Sequence, residues 1–154
     1  MKVNLMENRI VDQKITLVPY FENYDQCLSR YQDYDICKQV DNIDYLYDMD
    51  RLKRMYEYLN LHGLCYYIQY QGSLIGDVAL TDDNEICIVI SKGYQNKGIG
   101  KKVIREILKL ARENEIKEIT ANIYSFNKQS QRAFKACGFI QVDQELYKYE
   151  IKDL

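Results

Sequence analysis

Six consecutive residues, Gln95-Asn96-Lys97-Gly98-Ile99-Gly100, lie between an apolar run and a segment of helical periodicity, which puts their peptide groups at the start of a helix. Free backbone N–H groups and the helix dipole meet there, and both favour an anion. Gly98 and Gly100 carry no Cβ that would hold phosphate oxygens away from those donors. Lys97, Lys101, Lys102 and Arg105 crowd the same positive end, where cations are unfavourable unless a polyanion offsets them. The chemistry predicted is the binding of a phosphorylated ligand. Two other phosphate loops do not fit these residues. Gly93 and Gly98 have the G-x-x-x-x-G spacing of a nucleoside triphosphate loop, but Ile99-Gly100 follow in place of Lys-Ser/Thr. Gly98-Ile99-Gly100 lacks the third glycine of the dinucleotide fingerprint and comes late in the chain instead of after a first strand.

Other reactive side chains form no constellation. His62 is the only histidine and no G-x-S-x-G elbow accompanies it, so a histidine-based triad has no support. Cys27, Cys37, Cys65, Cys87 and Cys137 are scattered without a C-x-x-C pair, which indicates reduced thiols and neither a disulfide framework nor a metal site. The net charge is −2 and the lysines and arginines are spread along the chain, which argues against nucleic acid as a partner. No apolar run approaches the ~20 residues that span a bilayer, and the first residues lack the apolar centre of a secretory signal. A soluble, cytoplasmic protein without a membrane partner is expected. Its 154 residues fit a single domain, 1–154.

The loop needs elements to hold it. One proline and seven glycines leave little material for linkers, so the chain reads as continuously folded. Residues 15–18 predict a first strand, and 21–31 and 50–61 predict helices joined by a Tyr- and Asp-rich connection. Residues 64–70 and 74–80 flank Gln71-Gly72-Ser73 and predict a hairpin, followed by a turn at 81–84. Ile86 to Ile90 is apolar at every position, the pattern of a central strand covered on both faces. Ile99, Val103, Ile104, Ile107, Leu110 and Ala111 recur at helical spacing up to about Asn114. The alternation in 118–124 predicts a strand that closes a β-α-β unit. A helix over 127–137, with Asn127 as N-cap and Gly138 as stop, precedes strands at 139–142 and 146–151.

Gln95 to Gly100 matches in full the Q/R-x-x-G-x-G/A signature of the GNAT superfamily of N-acetyltransferases. The downstream run from Asn127 to Phe139 resembles that family's N-x-x-A/S-x-x-x-Y/F-x-x-x-G-F segment. The resemblance covers about 64–142, and the N-terminal part by element order alone. It implies an α/β (α+β) fold of the acyl-CoA N-acyltransferase type, a mixed and mostly antiparallel sheet of roughly six to seven strands flanked by about four helices. It also implies acetyl-CoA as co-substrate, no metal, an amine of a small molecule or peptide as acceptor, and a homodimer as a common assembly.

The same resemblance implies roles for individual residues. The backbone of Ile88, Val89 and Ile90 would pair with the pantetheine arm, and that of Asn96 to Lys101, through Lys97, Gly98, Ile99 and Gly100, would cradle the pyrophosphate. Asn127 and Ser130 would face the pantetheine and thioester. Many relatives place a tyrosine seven residues after the asparagine to protonate the departing thiolate, and Phe134 stands there. One branch places a glutamate base five residues before it, where Asn122 stands, which leaves Glu85 as the nearest acidic substitute. Tyr124 and Tyr147 are alternatives for the missing acid. The acceptor wall would be the connection carrying Tyr31, Asp33, Tyr34, Asp35, Asp41, Asp44, Tyr45, Tyr47, Asp48 and Asp50, suited to a cation or simply solvated. Transfer of a longer acyl group, acetylation of a protein N-terminus, and a non-catalytic acyl-CoA-binding module are the rival readings.

Overall fold

The longer strands of the principal sheet divide their side chains between two cores, and this division sets the architecture. The computed structural model describes residues 6–152. The described strands are β1 (Arg9–Ile10), β2 (Ile15–Pro19), β3 (Gly63–Tyr70), β4 (Ser73–Thr81), β5 (Ile86–Ile90), β6 (Glu118–Asn122), β7 (Ile140–Gln141) and β8 (Leu146–Glu150). The helices are α1 (Tyr24–Leu28), α2 (Tyr34–Asp41), α3 (Met49–Leu61), α4 (Ile99–Glu113) and α5 (Lys128–Ala136). The sheet order is β1-β2-β3-β4-β5 in one sheet and β6-β8-β7 in another, with antiparallel pairing throughout both.

Tyr66 and Ile68 of β3, Val78 and Leu80 of β4, and Ile86 of β5 pack with the apolar stripe of α4 and with Phe134 of α5. Cys65, Tyr67 and Ala79 face the other way, onto Cys27, Tyr31, Ile36, Leu52 and Tyr56 from the α1–α3 layer. Period-two alternation therefore places α1–α3 on one face and α4 with α5 on the other. Ile99, Val103, Ile104 and Ile107 of α4 are each at most 3 % exposed. Burial on that scale contributes about 1.5–3 kcal/mol per side chain, enough to hold the helix and the loop before it.

The central-strand expectation for 86–90 requires a correction. β5 is the edge of the five-stranded sheet, and only Ile86 of its five residues is fully buried. A single parallel bridge, Glu85 to Thr120, joins it to β6, with the Thr120 N–H donating to the Asn84 carbonyl at 3.0 Å. Beyond that point the strands diverge. The crossover through α4 is as the β-α-β pattern predicts, but its two strands share only their first rung. The supposed connection between the first helices also contains a helix, α2, capped by Asp33, whose carboxylate accepts from the Asp35 and Ile36 N–H groups.

Candidate functional site

Where β5 ends, the Gln95 side-chain amide donates to the Ile90 carbonyl at 2.8 Å and to Gln39 Oε1 at 3.1 Å. The strand end is thereby fixed to both the loop and α2. Asn96 and Gly98 then adopt left-handed backbone, at φ 61° and 80°, which turns successive peptide groups toward one side. Among the described residues, the N–H groups of Asn96 to Lys101 have no protein acceptor. Lys97, Lys101 and Arg105 are exposed around them, and Lys102 pairs with Asp12 at 2.8 Å. Open donors, a helix N-terminus and excess positive charge fit a pyrophosphate. The side chain of Ile99 is buried in the core, so its contribution is the backbone alone.

The divergence of β5 from β6 opens a cavity of about 600 Å³. Glu85, Ile88, Val89, Ile90, Gln95, Gly100, Asn127, Ser130 and Phe134 line it, while Asn96 to Ile99 and Lys101 stand at its loop end outside the lining. The Asn127 carboxamide caps α5 by accepting from the Ser130 N–H at 3.2 Å, which aligns that helix along the groove. Phe134 is 2 % exposed and meets Phe139 edge-on at 5.0 Å. It has no proton to give.

At the opposite end Asn122 donates to Glu85 Oε2 at 2.9 Å. The glutamate and the asparagine that stands in the alternative base position are therefore neighbours in space, 37 residues apart in sequence. Cys87, two residues on, also lines the cavity. Burial first, then the charges of Glu85 and Asp77, push its thiol up to about 12. Tyr124 lines the cavity and stacks on Phe126 at 5.5 Å. Burial, then Asp41 and Glu145, raise its phenol above the ordinary range, so it stays a proton donor at neutral pH. Tyr147 is fully buried, its hydroxyl has no hydrogen-bond partner among the described residues, and it is not part of the lining. Of the two tyrosine alternatives, only Tyr124 borders the site.

The acidic acceptor wall largely dissolves in the fold. Asp33 and Asp48 are helix caps, Asp35 pairs with Lys92, and Asp44 lies 3.6 Å from Lys38. Tyr31 is buried against Asp77 at 2.8 Å. Tyr34, Tyr45 and Asp50 are exposed away from the lining, which keeps only Asp41 and Tyr47 of the named set. Sequence reasoning missed Gln39, Asp77 and Glu145, which also line the cavity. Asp77 accepts from Tyr56 at 2.7 Å and from Arg30 at 3.2 Å, and Arg30 Nε reaches Ser91 Oγ at 3.1 Å. An aspartate inside the apolar strand segment Gly76 to Leu80 was the available signal, since a buried carboxylate requires dedicated partners.

No curated protein matches the sequence. Solved structures match over nearly the whole chain. The microcin self-immunity acetyltransferase MccE, solved with acetyl-CoA and AMP, has a TM-score of 0.74 at 18% identity, covering 92% of this chain and 94% of that one. Spermidine N-acetyltransferase from Vibrio cholerae, with CoA and spermine, gives 0.76 at 17%, covering 91% and 97%. An acetyltransferase from Salmonella typhimurium that modifies the N-terminal serine of a 50S ribosomal subunit protein gives 0.76 at 14%, covering 95% and 100%. At these identities the likeness establishes the fold. The acetyltransferase (GNAT) family profile matches residues 24–139, three-quarters of the chain and the stretch that holds the loop before α4 and every residue of the cavity lining but Glu145: the chain belongs to the GNAT acetyltransferase family.

Proposed function

We propose that this protein is a cytoplasmic, single-domain enzyme that transfers the acetyl group of acetyl-CoA to a primary amine of a small molecule or peptide, by direct attack of the amine on the thioester. The observation that carries this reading is the pairing, along one groove, of the open N–H run at Asn96–Lys101 with a carboxylate, Glu85, held by Asn122 at the far end. Bound there, acetyl-CoA supplies an activated acyl group.

The residues of the chain supply the rest. The loop N–H groups and the surrounding lysines hold the pyrophosphate, and the outer edge of β5 at Ile88–Ile90, which no strand covers among the described residues and whose Ile90 carbonyl already accepts from Gln95, offers its remaining backbone groups to the pantetheine amides. Glu85 accepts the proton of the acceptor ammonium, leaving a free amine as nucleophile. Holding both reactants in a single groove removes much of the entropic barrier. The Tyr124 hydroxyl, kept protonated by its surroundings, is the donor available to the departing thiolate.

Calorimetric titration with acetyl-CoA, beside CoA lacking its 3′-phosphate and ATP, tests the donor site, and thiol release with pooled amines tests turnover. Selective binding of acetyl-CoA is expected. Glu85→Gln is expected to lower kcat about 100-fold or more and to leave acetyl-CoA affinity unchanged. An unaltered kcat and pH profile in that variant would remove Glu85 from the mechanism, and absence of acetyl-CoA binding would remove the reading itself.

A further inference from the structure

Among the described residues, the cavity wall includes four carboxylates, Asp41, Asp77, Glu85 and Glu145, and no lysine, arginine or histidine. Their states differ. Both oxygens of Asp77 are taken by Tyr31, Tyr56 and Arg30, so it is a closed structural pair. The other three each have one oxygen fixed by the protein and the second without a hydrogen bond among the described residues. Asn122 fixes Oε2 of Glu85; the Ser125 N–H at 2.6 Å and hydroxyl at 3.1 Å fix Oε2 of Glu145; Tyr47 and Arg51 fix Oδ2 of Asp41. Arg51 offsets the charge of Asp41, and Glu85 is assigned to the reacting ammonium. Glu145 has no cationic partner among the described residues.

An independent feature marks the same rim. Phe126 is stacked on Tyr124, a lining ring, and the Lys38 ammonium lies 5.3 Å from the Phe126 centroid. The protein thus already seats one of its own ammonium groups on this aromatic pair, as cation–π attraction favours.

Resting on the acetyltransferase reading, we propose that the acceptor is an aliphatic amine with a second ammonium group, an open-chain diamine or polyamine, whose distal charge is held by the free oxygens of Glu145 and Asp41 beside Tyr124. An acceptor with one amine would cover the Glu145 carboxylate without neutralising it, which is unfavourable. A distal ammonium supplies both charge and donors to oxygens that are already immobile. An acceptor bearing a carboxylate meets like charge and is rejected.

The test is steady-state kinetics with acetyl-CoA and putrescine, spermidine, butylamine or gamma-aminobutyrate, with acetyl-CoA affinity measured separately. The kcat/KM of the diamines is expected to exceed that of butylamine about 30-fold, the scale of one charge-assisted hydrogen-bond pair, with aminobutyrate lowest. Glu145→Gln and Asp41→Asn are each expected to cut that preference several-fold through KM, with acetyl-CoA affinity and Tm preserved. Equal or better turnover of butylamine or aminobutyrate, or a preference unmoved by both variants, would overturn the second-ammonium assignment alone. Acetyl-CoA binding with no thiol release for any amine would overturn the transfer reading beneath it as well.

Discussion

Cys87 stands two residues along β5 from Glu85 and borders the same cavity, so the question at the residue scale is whether it carries the acyl group. With its thiol pushed up to about 12 by burial and by Glu85 and Asp77, about one molecule in ten thousand is thiolate at pH 8. That population is too small to compete with a free amine oriented on the thioester. Cys87→Ala is expected to keep kcat within about twofold, and intact-protein mass spectrometry after mixing with acetyl-CoA should show no acetyl adduct. An adduct that disappears in the alanine variant would establish a covalent route instead. Phe134 leads to the same conclusion for the acid: where many relatives carry a hydroxyl this chain has a ring packed on Phe139, so any proton for the thiolate comes from a different position.

At the scale of the element, the loop before α4 has the backbone N–H groups of Asn96 to Lys101 open among the described residues, the feature on which the proposed anion site rests. Gly98 has φ 80° and nothing within 4 Å of where a Cβ would sit. Alanine there meets strain but no clash, a cost of about 1–2 kcal/mol. Glutamate adds the same strain together with negative charge at the anion site. Gly98→Glu is expected to weaken acetyl-CoA at least about 100-fold while the folded state persists, and Gly98→Ala to weaken it far less; calorimetry beside circular dichroism separates the two effects. Unchanged affinity in the glutamate variant would sink the loop assignment. Gly138 answers to a different constraint, since at φ 99° a Cβ would stand 2.9 Å from Tyr149 Cε2. It ends α5 and lets the chain turn into β7 against the sheet.

The molecule as a whole is a layered fold whose second sheet meets the first at one rung, and charged clamps hold the layers. Arg9 on β1 reaches Glu106 and Glu113 on α4, each at 2.8 Å. The hydrogen bond from Arg9 lowers the Glu113 carboxyl below its ordinary 4.5. A depressed carboxylate contributes stability above the unfolded-state value and loses it as the pH falls through the folded one. The Tm of the native protein should therefore exceed that of Glu113→Gln at pH 7, and the gap should close below about pH 4.5. A gap that is constant with pH would mean that Arg9 and Glu113 are not paired in solution. Where α1–α3 meet the sheet, Arg30 bridges Asp77 and Ser91, which ties the Asp77 wall of the cavity to the residue that follows β5.

Much of this architecture was legible from local pattern. The stripe Ile99 to Ala111 announced α4, the alternation around Ile119 announced β6, and Gln71-Gly72-Ser73 announced the hairpin, because these periodicities and turn residues act within a few positions. The turn into α4 was legible for the same reason, since its glycines and the helix start are contiguous. The short helix α2 was lost in an Asp- and Tyr-rich stretch, although Asp33 is a capping residue. What no local pattern contains is how β5 leaves its neighbour: Ile86 to Ile90 is apolar throughout, yet the strand is an edge. Nor could charge composition tell which acids of the N-terminal region are spent on caps and ion pairs and which remain at the cavity. Asp41, Asp77, Glu85 and Glu145 come from separate elements. Their partners lie up to 47 residues away, as for Asp77 with Arg30, and only packing the layers together decides which of their oxygens are filled and which stay open.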